Sequence, residues 1–251
     1  MDAPWPASLR RSDTHPSVSL LTPTYNRLAF LPFLAQHILA QTYPRERMEW
    51  IILDDGSESA ATVVAGLAAK HKDLRIRYIR CETKLSIGAK RNRLHKEAAG
   101  QVLVTMDDDD WYSPERVAHS VYIMRSKKTS IVGSSQNFLF YVDNKSIWQT
   151  GPWGPTHATF GTMAYTKEYA VAHPCNESVT HAEEIEFTER YKAPLAQLDP
   201  RKVMLVMCHG ANTFSKHALR ETPSPVMTAT SLKLSDFIKS ASLREFYNTL
   251  K

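Results

Sequence analysis

Short apolar runs alternate with helical apolar stripes along the first half of the chain. Ser17 to Leu21 is a β-prone apolar run that stops at Thr22-Pro23, as a buried strand does. From about Leu28, apolar residues recur at helical spacing, and Pro32 is tolerated because it falls in the first turn. The same alternation predicts strands at 49–53, 74–80 and 101–106 and helices at 58–72 and 87–99. Such a repeat predicts an α/β fold with a mostly parallel sheet and right-handed crossovers.

The pattern changes after Pro114. A helix at 114–124 and a strand at 129–133 precede two apolar runs, 136–141 and 145–149, which flank a polar turn. This spacing predicts a hairpin and a mixed sheet. The tail at 228–250 has apolar residues at helix-like spacing: Leu232, Leu234, Phe237, Ile238, Leu243, Phe246, Tyr247 and Leu250. The tail is predicted to pack on the core, and a membrane-binding or partner-binding helix is the alternative.

Charge and cysteine usage exclude several classes of protein. The formal charge of +5 comes from dispersed basic residues, without the basic patch or zinc-finger spacing that nucleic-acid binding requires. Cys81, Cys175 and Cys208 form no C-x-x-C pair, so neither a disulfide framework nor a zinc cluster is predicted. No apolar signal segment is found, and no run is long enough to span a bilayer. The sequence therefore favours a cytoplasmic protein, at most peripheral to a membrane.

The strongest chemical signal is a run of four carboxylates, Asp107 to Asp110, directly after an apolar strand. Such close like charges raise one another's pKa values and destabilise the fold unless a cation offsets them. A divalent metal ion does so, and a diphosphate can complete its octahedral shell. The alternative is a solvated acidic loop that caps the next helix, with Ser113 as N-cap and Pro114 at the first helical position.

Two further loops indicate a nucleoside site. Ligands gather beyond the carboxyl ends of parallel strands, so the loops at 22–27, 54–57 and 107–114 are expected to share one crevice. The Tyr25 ring can stack on a base, and either Asp54 or Asp55 can accept a hydrogen bond from a base or ribose. Taken singly, each loop is also an ordinary turn. Neither a GxGxxG motif nor a P-loop is present, which disfavours dinucleotide-binding proteins and ATPases.

The segment GAKRN, residues 88–92, opens the third helix with cationic and amide donors. A diphosphate could approach this helix N-terminus, although a plain surface helix explains the same residues.

In order and spacing, TPTYNR, LDDGS, GAKRN and MDDDDWYSP resemble the donor-binding half of the family 2 glycosyltransferases. The resemblance implies a single domain with the GT-A fold, a Rossmann-like and mostly parallel mixed sheet flanked by helices. It also implies a nucleotide-sugar donor, most often a UDP-sugar, and Mn²⁺ or Mg²⁺ bound by a D-x-D element. By this resemblance the chain divides into a flexible leader (1–16), a nucleotide-sugar-binding half (17–114), an acceptor-binding half (115–218) and a helical tail (219–251).

The resemblance also assigns roles to individual residues. Those expected to bind the donor are Pro23, Thr24, Tyr25, Asn26, Asp54, Asp55, Gly88, Arg91, Asp107 and Asp108. Asp109 is the first candidate for the metal, with Asp107 as the other end of the D-x-D element, although four aspartates in a row leave the register open. His209 lies in a segment, 208–213, that is similar to a late loop in GT-A enzymes and could reach the metal or diphosphate. A histidine satisfied by main-chain partners is the alternative.

The segment 181–190 is similar to the Glu-Asp element of the family, which an arginine follows six residues later. Glu184 occupies the position of the base, but glutamate replaces the usual aspartate, so either Glu183 or Glu184 can be the base. A solvated helix face is the alternative. The expected reaction is an inverting transfer to a hydroxyl of a glycan, lipid-linked or other acceptor. A sugar-nucleotide nucleotidyltransferase and a non-catalytic nucleotide-sugar- or glycan-binding module are the alternatives.

Overall fold

The structure, a computed structural model, describes residues 15–210, 212, 216–221 and 224–250. The strand–helix alternation predicted for the first half is confirmed, with element ends displaced by a few residues. Its elements are β1 (Val18–Thr24), α1 (Leu31–Leu39), β2 (Met48–Asp54), α2 (Ala61–Lys70), β3 (Arg75–Arg80), α3 (Ile87–Glu97) and β4 (Val102–Thr105). Next come β5 (Trp111–Tyr112), α4 (Arg116–Lys127), β6 (Ile131–Gly133), β7 (Asn137–Tyr141), β8 (Ser146–Thr150), β9 (Ala164–Thr166) and α5 (Lys167–Ala172). The last are α6 (Glu184–Phe187), β10 (Ala196–Gln197), β11 (Met204–Cys208), α7 (His217–Glu221), β12 (Met227–Ala229), α8 (Leu234–Phe237) and α9 (Ala241–Thr249).

Seven strands form the central sheet in the order β10-β6-β9-β4-β1-β2-β3. Strands β4, β1, β2 and β3 are mutually parallel, and β9 runs antiparallel to both β4 and β6. Every residue of β1 and β2 is buried. This is because helices cover both faces of the sheet, with α1, α2 and α4 on one side and α3 and α5 on the other. The predicted mostly parallel mixed sheet flanked by helices is confirmed.

The first strand is longer than predicted, since it continues through Pro23 to Thr24. The carbonyl of Leu21 accepts a hydrogen bond from the main-chain nitrogen of Met106, just beyond β4. Alternate residues of a strand face the same neighbour, so Pro23 also faces that side, two residues beyond the last β1–β4 pair, Leu21 and Thr105. The missing N–H of Pro23 therefore breaks no bond of the β-ladder, and β1 carries Thr24 to the edge of the sheet.

A second sheet of five strands has the order β12-β8-β7-β11-β5. Its centre is the antiparallel pair β7 and β8, so the predicted hairpin is confirmed. The segregation into a separate sheet was not predicted. Its edge strand β5, only two residues long, pairs with Met204 and Leu205 and directly follows the four carboxylates. The acidic run therefore links the two sheets.

The helix after the acidic run begins later than predicted. Glu115, not Ser113, is the N-cap of α4, and the first helical residue is Arg116 instead of Pro114. Ser113 remains near the helix start, where its hydroxyl accepts a hydrogen bond from the main-chain nitrogen of Glu115 (3.2 Å). Ahead of the helix the main-chain nitrogen of Arg116 donates to the carbonyl of Ser113 (3.0 Å), a 3₁₀-type turn in place of a first α-helical turn.

The tail is not one helix. It starts as β12, which pairs with β8, and continues as α8 and α9, with Ile238 in extended conformation between them. Its apolar side chains pack on the second sheet as predicted, and Leu234, Phe237, Ile238, Leu243 and Tyr247 are buried there. In the described ranges, no helix combines the length and apolarity needed to cross a membrane. Residues 1–14 of the predicted leader lie outside the described residues.

Candidate functional site

The ends of three parallel strands meet at the carboxyl edge of the central sheet. The main-chain nitrogen of Asp55, after β2, donates to the carbonyl of Thr24, at the end of β1 (3.4 Å). The Thr24 hydroxyl donates to Oδ2 of Asp108, after β4 (2.6 Å). The three loops that the sequence predicted to share one crevice are therefore in contact.

Asp108 and Asp109 share one cation. Nη1 of Arg27 lies 2.9 Å from Oδ1 of Asp108 and 2.9 Å from Oδ2 of Asp109. Both carboxylates are buried, and burial together with the charge of Asp109 raises the pKa of Asp108 to about 7. Burial acts in the same direction on Asp109, but the hydrogen bond from His209 and the charge of Arg27 hold its pKa well below the usual range. Arg27 thus offsets much of the repulsion that the sequence assigned to a metal ion.

Asp109 also contacts two residues that follow β11. Its Oδ2 accepts from Nδ2 of Asn212 (3.0 Å) and lies 3.3 Å from Nε2 of His209. Asn212 Oδ1 in turn accepts from the main-chain nitrogen of His209 (2.8 Å), and the Phe30 ring stacks on the imidazole at 5.4 Å. His209 is therefore held against Asp109. Two residues of the predicted loop, Ala211 and Thr213, lie outside the described residues.

The outer carboxylates of the run turn in different directions. Asp107, the least buried of the four, forms a bidentate pair with Nη1 and Nη2 of Arg91 (2.7 and 3.2 Å). Asp110 is turned to the second sheet, where Oδ1 accepts from the main-chain nitrogen of Met207 (2.8 Å). Because Asp108, Asp109 and Asp110 are all buried, a solvated acidic loop is the wrong interpretation for most of the run.

An aromatic ring and two lysines lie on the β1–β2 side of the acidic run. The Tyr25 side chain is 36% exposed, and Nζ of Lys84 and of Lys90 lie 4.3 and 5.4 Å from the centre of its ring. Lys90 also forms an ion pair with Oδ1 of Asp55 (2.5 Å). Asp55 is thus joined through Lys90 to the exposed ring, an arrangement suited to a base and its attached phosphates.

Asp54 has a different role from its neighbour Asp55. Its side chain is fully buried, and it accepts hydrogen bonds from the main-chain nitrogens of Gly56 (2.9 Å) and Ala60 (2.8 Å) and from the Tyr78 hydroxyl (2.7 Å). The carboxylate is therefore occupied in shaping the loop and fixing the start of α2.

Asp55 is equally buried, and its Oδ2 accepts from the main-chain nitrogen of Leu85 (2.7 Å), so burial does not separate the two alternatives left open by the sequence. Asp55 differs in its ion pair with Lys90, which lies beside the Tyr25 ring.

Asn26 joins two of the loops. It has a left-handed backbone (φ 55°), and its Oδ1 accepts from the main-chain nitrogen (2.7 Å) and hydroxyl (3.0 Å) of Ser57. A Cβ added at Gly56 would lie 2.6 Å from this oxygen, so the close approach requires glycine there. The structure thus places Asn26 between protein groups, beside rather than inside the crevice.

Gly88 and Arg91 face different parts of the molecule. A Cβ at Gly88 would lie 2.0 Å from the carbonyl oxygen of Asn176, so the start of α3 is packed against the 175–177 segment. Arg91, one turn later, is buried and points to the acidic run. The interpretation of 88–92 as a plain surface helix is wrong, because Lys90 and Arg91 are both buried ion-pair partners.

Arg91 connects the acidic run to the second acidic segment. Oε1 of Glu183 lies 3.2 Å from both Nε and Nη2 of Arg91, which also holds Asp107. Burial opposes the charge of Arg91, but Asp107 and Glu183 raise its pKa further above the ordinary value, so it is cationic. Glu184, the first residue of α6, is half-buried, and burial together with the charge of Glu183 raises its pKa to about 7.

Sequence reasoning overlooked three residues of this site. Arg27 lies within the TPTYNR segment but was given no role, Lys90 was counted among the cationic donors of GAKRN without a carboxylate partner, and Asn212 was passed over in favour of His209. The first two carried a signal, since a cation is required wherever several carboxylates are buried together. The pairing of Asn212 with Asp109 had none, because the two residues are 103 positions apart.

The combination of this sheet with ligand loops at its carboxyl edge is the GT-A architecture of nucleotide-sugar transferases. The profile of the family described as glycosyl transferase family 2 matches residues 19–182, and the chain belongs to this family.

Individual relatives agree with the family. The glycosyltransferase GlyG of Streptococcus pneumoniae is 29% identical over 139 residues, which are 52% of this chain and 45% of GlyG. An uncharacterized glycosyltransferase of Rickettsia bellii is 29% identical over 148 residues, 55% of this chain and 21% of that protein. The chain thus spans less than half the length of either relative.

Solved structures share the fold. A mannosyltransferase, PcManGT of Pyrobaculum calidifontis in complex with GDP-Man and Mn²⁺, has a TM-score of 0.65 and 17% identity, and the match covers 87% of this chain and 62% of that one. TarS 1-349 of S. aureus in complex with UDP has a TM-score of 0.61 and 17% identity, covering 77% and 61%.

The residues present can be compared with what a divalent cation requires. Asp109 and His209 offer a carboxylate and an imidazole side by side, which are donor types that Mn²⁺ accepts. In the described part of the chain, no three His, Cys, Asp or Glu side chains are arranged to hold a metal ion. The donor chemistry therefore fits a cation that takes most of its ligands from a bound diphosphate and water.

Proposed function

We propose that this chain is a glycosyltransferase that moves a sugar from a nucleotide diphosphate to an acceptor hydroxyl with inversion. The observation that carries this proposal is the contact of Arg91 with both Asp107 and Glu183. One guanidinium joins the acidic run, beside which the donor diphosphate would lie, to the acidic segment that would receive the acceptor. The sugar of the donor and the hydroxyl of the acceptor would therefore meet beside Arg91.

The donor would bind along the edge formed by the β1, β2 and β4 loops. Its base would stack on Tyr25, and Asp55 would accept a hydrogen bond from the imide N–H of uracil, which makes a UDP-sugar the preferred donor. Lys84 and Lys90 lie over the same ring and would contact the phosphates. Pro23 and Thr24 would form the floor of this pocket.

Asp109 and His209 would hold Mn²⁺ or Mg²⁺, while Asp107, the other end of the D-x-D element, is held by Arg91. Such an ion, when bound, offsets the charge that develops on the departing diphosphate. Arg27 contacts both Asp108 and Asp109, so it would have to release Asp109 when the cation is present, and its guanidinium would then be available to the diphosphate.

Glu184 would act as the base. Its pKa of about 7 suits proton abstraction near neutral pH, whereas Glu183 is already paired with Arg91. The acceptor oxygen attacks the anomeric carbon, the bond from that carbon to the phosphate oxygen breaks, and the hydroxyl proton passes to Glu184. The nucleoside diphosphate leaves with the electron pair of the broken bond.

The test is release of nucleoside diphosphate from UDP-, GDP- and dTDP-sugars, measured with and without Mn²⁺. We expect metal-dependent release from one donor, loss of donor binding in Asp109→Ala, and retained binding with a loss of turnover of about 100-fold or more in Glu184→Gln. Release of pyrophosphate from a sugar phosphate and a nucleoside triphosphate would instead indicate a nucleotidyltransferase. Donor binding without any release would indicate a binding module.

A further inference from the structure

Three aromatic side chains that the candidate site does not use lie in a row. The rings of Trp153 and His157 are 6.0 Å apart, and those of His157 and Tyr191 are 4.5 Å apart and inclined by only 26°. The Trp153 side chain is 50% exposed, while His157 and Tyr191 are half-buried. One end of the row is therefore open to solvent and the other is packed into the protein. We refer to Trp153, His157 and Tyr191 as the aromatic row.

The backbone beneath the aromatic row is fixed on one side by Ser135. Gly151 has a left-handed backbone (φ 83°), and a Cβ there would lie 2.0 Å from the carbonyl oxygen of Ser135. The same carbonyl accepts from the main-chain nitrogen of Trp153 (3.2 Å). Nε2 of Gln197 donates to the carbonyls of Pro155 and His157 (2.9 Å each). A surface ring held by its backbone in this way loses little freedom when it binds a ligand.

Tyr191 belongs to a strained turn. Glu189, Arg190 and Tyr191 have φ values of 51°, 57° and 61°, so three successive residues other than glycine are left-handed. Residues other than glycine rarely adopt this conformation, so surrounding contacts have to hold it. Here the Thr188 hydroxyl accepts from the main-chain nitrogen of Tyr191 (3.1 Å). The turn places the Tyr191 ring against the His157 ring. Tyr191 itself is only a few residues after Glu184 in the sequence.

The aromatic row lies at the ligand edge of the central sheet. Strand β6 is antiparallel to β9, which is antiparallel to β4, so the carboxyl ends of β6 and β4 are at the same edge. Ser135, which anchors the aromatic row, follows β6, and Gln197 ends the parallel strand β10. The row is thus on the opposite side of the acidic run from Tyr25 and the donor loops.

The same segment continues from the aromatic row to the reacting groups. Three residues after His157, the Phe160 ring lies 4.6 Å from the guanidinium carbon of Arg91. A Cβ at Gly161 would lie 3.3 Å from Oδ2 of Asp107. At the other end, burial and the charge of Glu184 raise the pKa of Tyr191 to about 12, which places that hydroxyl within electrostatic reach of Glu184.

We propose that the aromatic row is an acceptor subsite that binds a sugar ring by stacking, and that the acceptor is therefore a carbohydrate. This rests on the proposed glycosyl transfer, since it identifies the group that Glu184 would deprotonate. A sugar ring offers an apolar C–H face to an aromatic ring and hydroxyls to the polar atoms around it, and Trp and Tyr suit such partly wet contacts. One exposed ring beside polar residues is too small an apolar surface for a lipid chain.

The experiment compares the wild-type chain with Trp153→Ala, Trp153→Phe and Tyr122→Ala. Tyr122, on α4, is 67% exposed and so controls for loss of an exposed aromatic ring. Binding is measured by isothermal titration calorimetry, which does not depend on Trp153 as a reporter, with methyl glycosides and tetrasaccharides of glucose, mannose and N-acetylglucosamine. Donor hydrolysis without acceptor and transfer to the same saccharides are measured in parallel, with serine-containing peptides and octanol as acceptors that lack a sugar ring.

We expect Trp153→Ala to weaken saccharide binding, and to raise the acceptor KM, by about 10-fold or more, which corresponds to about 1.4 kcal/mol. Donor hydrolysis should stay within twofold of wild type, Trp153→Phe should retain most of the affinity, and Tyr122→Ala should match wild type. The subsite is overturned if wild type binds no saccharide in the calorimeter, if Trp153→Ala leaves KM unchanged, or if peptide or octanol acceptors show the same loss. A wild-type chain that binds saccharides but hydrolyses no donor would refute the proposed transfer and leave the subsite standing.

Discussion

The Tyr247 hydroxyl, in the last helix, donates a hydrogen bond to the main-chain carbonyl of Asp110, at the end of the acidic run (3.2 Å). It also lies 2.7 Å from Nε2 of His37, whose pKa burial lowers to about 3, so the imidazole is neutral. Because the hydroxyl has one proton and gives it to Asp110, Nε2 of His37 must carry a proton and donate to Tyr247. The C-terminal helix is thereby tied both to α1 and to the acidic run.

Removal of this hydroxyl is expected to destabilise the fold. In Tyr247→Phe the buried N–H of His37 and the carbonyl of Asp110 both lose a partner, which costs about 1–3 kcal/mol. The free energy of unfolding in urea measures this loss. Tyr122→Phe, which removes an exposed hydroxyl, should change it by no more than about 0.5 kcal/mol. Equal values for the two variants would show that the link to Asp110 contributes nothing.

Arg27 is expected to substitute for a metal ion in the free protein. In Arg27→Gln, two buried carboxylates lose their shared cation, and the loss of a buried ion-pair partner costs about 3–5 kcal/mol. Added Mn²⁺ should restore part of the melting temperature, and the gain should exceed that of wild type, because Asp109 no longer has a competing partner. Differential scanning fluorimetry with and without Mn²⁺ measures both effects. Arg93→Gln, which breaks an exposed pair with Glu97, should show neither.

More of the fold than of the candidate functional site could be predicted from the sequence. Strands buried on both faces contain continuous apolar runs, such as 50–53 in β2, and the helices between them have regular stripes, so the alternation was visible. The two-residue strand β5 is too short to show any period, and the second sheet therefore remained hidden. The partner of each aspartate from Asp107 to Asp110 could not be predicted either. Four identical residues in a row do not indicate in which direction each side chain points.

Substitutions of Asp54, the last residue of β2, and of Asp55, the next residue, are expected to have different effects. Asp54→Asn leaves one of its main-chain donors, Gly56 or Ala60, facing an amide N–H₂, which costs about 2 kcal/mol of stability. Asp55→Asn removes the charge partner of Lys90 beside the Tyr25 ring, and we expect at least a tenfold loss in affinity for UDP. Urea unfolding and calorimetric titration with UDP separate the two effects. A larger loss of UDP affinity in Asp54→Asn would reverse the assignment.

Loss of the Glu184 proton is expected to increase activity and to lower the stability of the fold. Burial and Glu183 raise the pKa of Glu184 from 4.5 to about 7, while Arg91 acts in the opposite direction, and Tyr191 and Cys175 are further titratable groups in reach. In the folded state the carboxyl keeps its proton to higher pH than in the unfolded chain, so folding becomes less favourable as pH rises from about 4.5 through 7. In Glu184→Gln this pH-dependent loss of stability is absent, because the glutamine side chain does not ionise.

Glu184→Gln should therefore match wild type in stability at pH 4.5 and exceed it by on the order of 3 kcal/mol at pH 8, since the shift is worth about 1.4 kcal/mol per pKa unit. Transfer by wild type should increase with pH to a plateau above 7, as the base loses its proton, and the variant should show no such rise. Urea unfolding at several pH values and a pH–rate profile measure the two effects.

Glu186→Gln, an exposed neighbour on the same helix, is the control and should alter neither. If the stability difference between Glu184→Gln and wild type is the same at both pH values, Glu184 is not the buried group with the raised pKa, and Glu183 becomes the better candidate for the base.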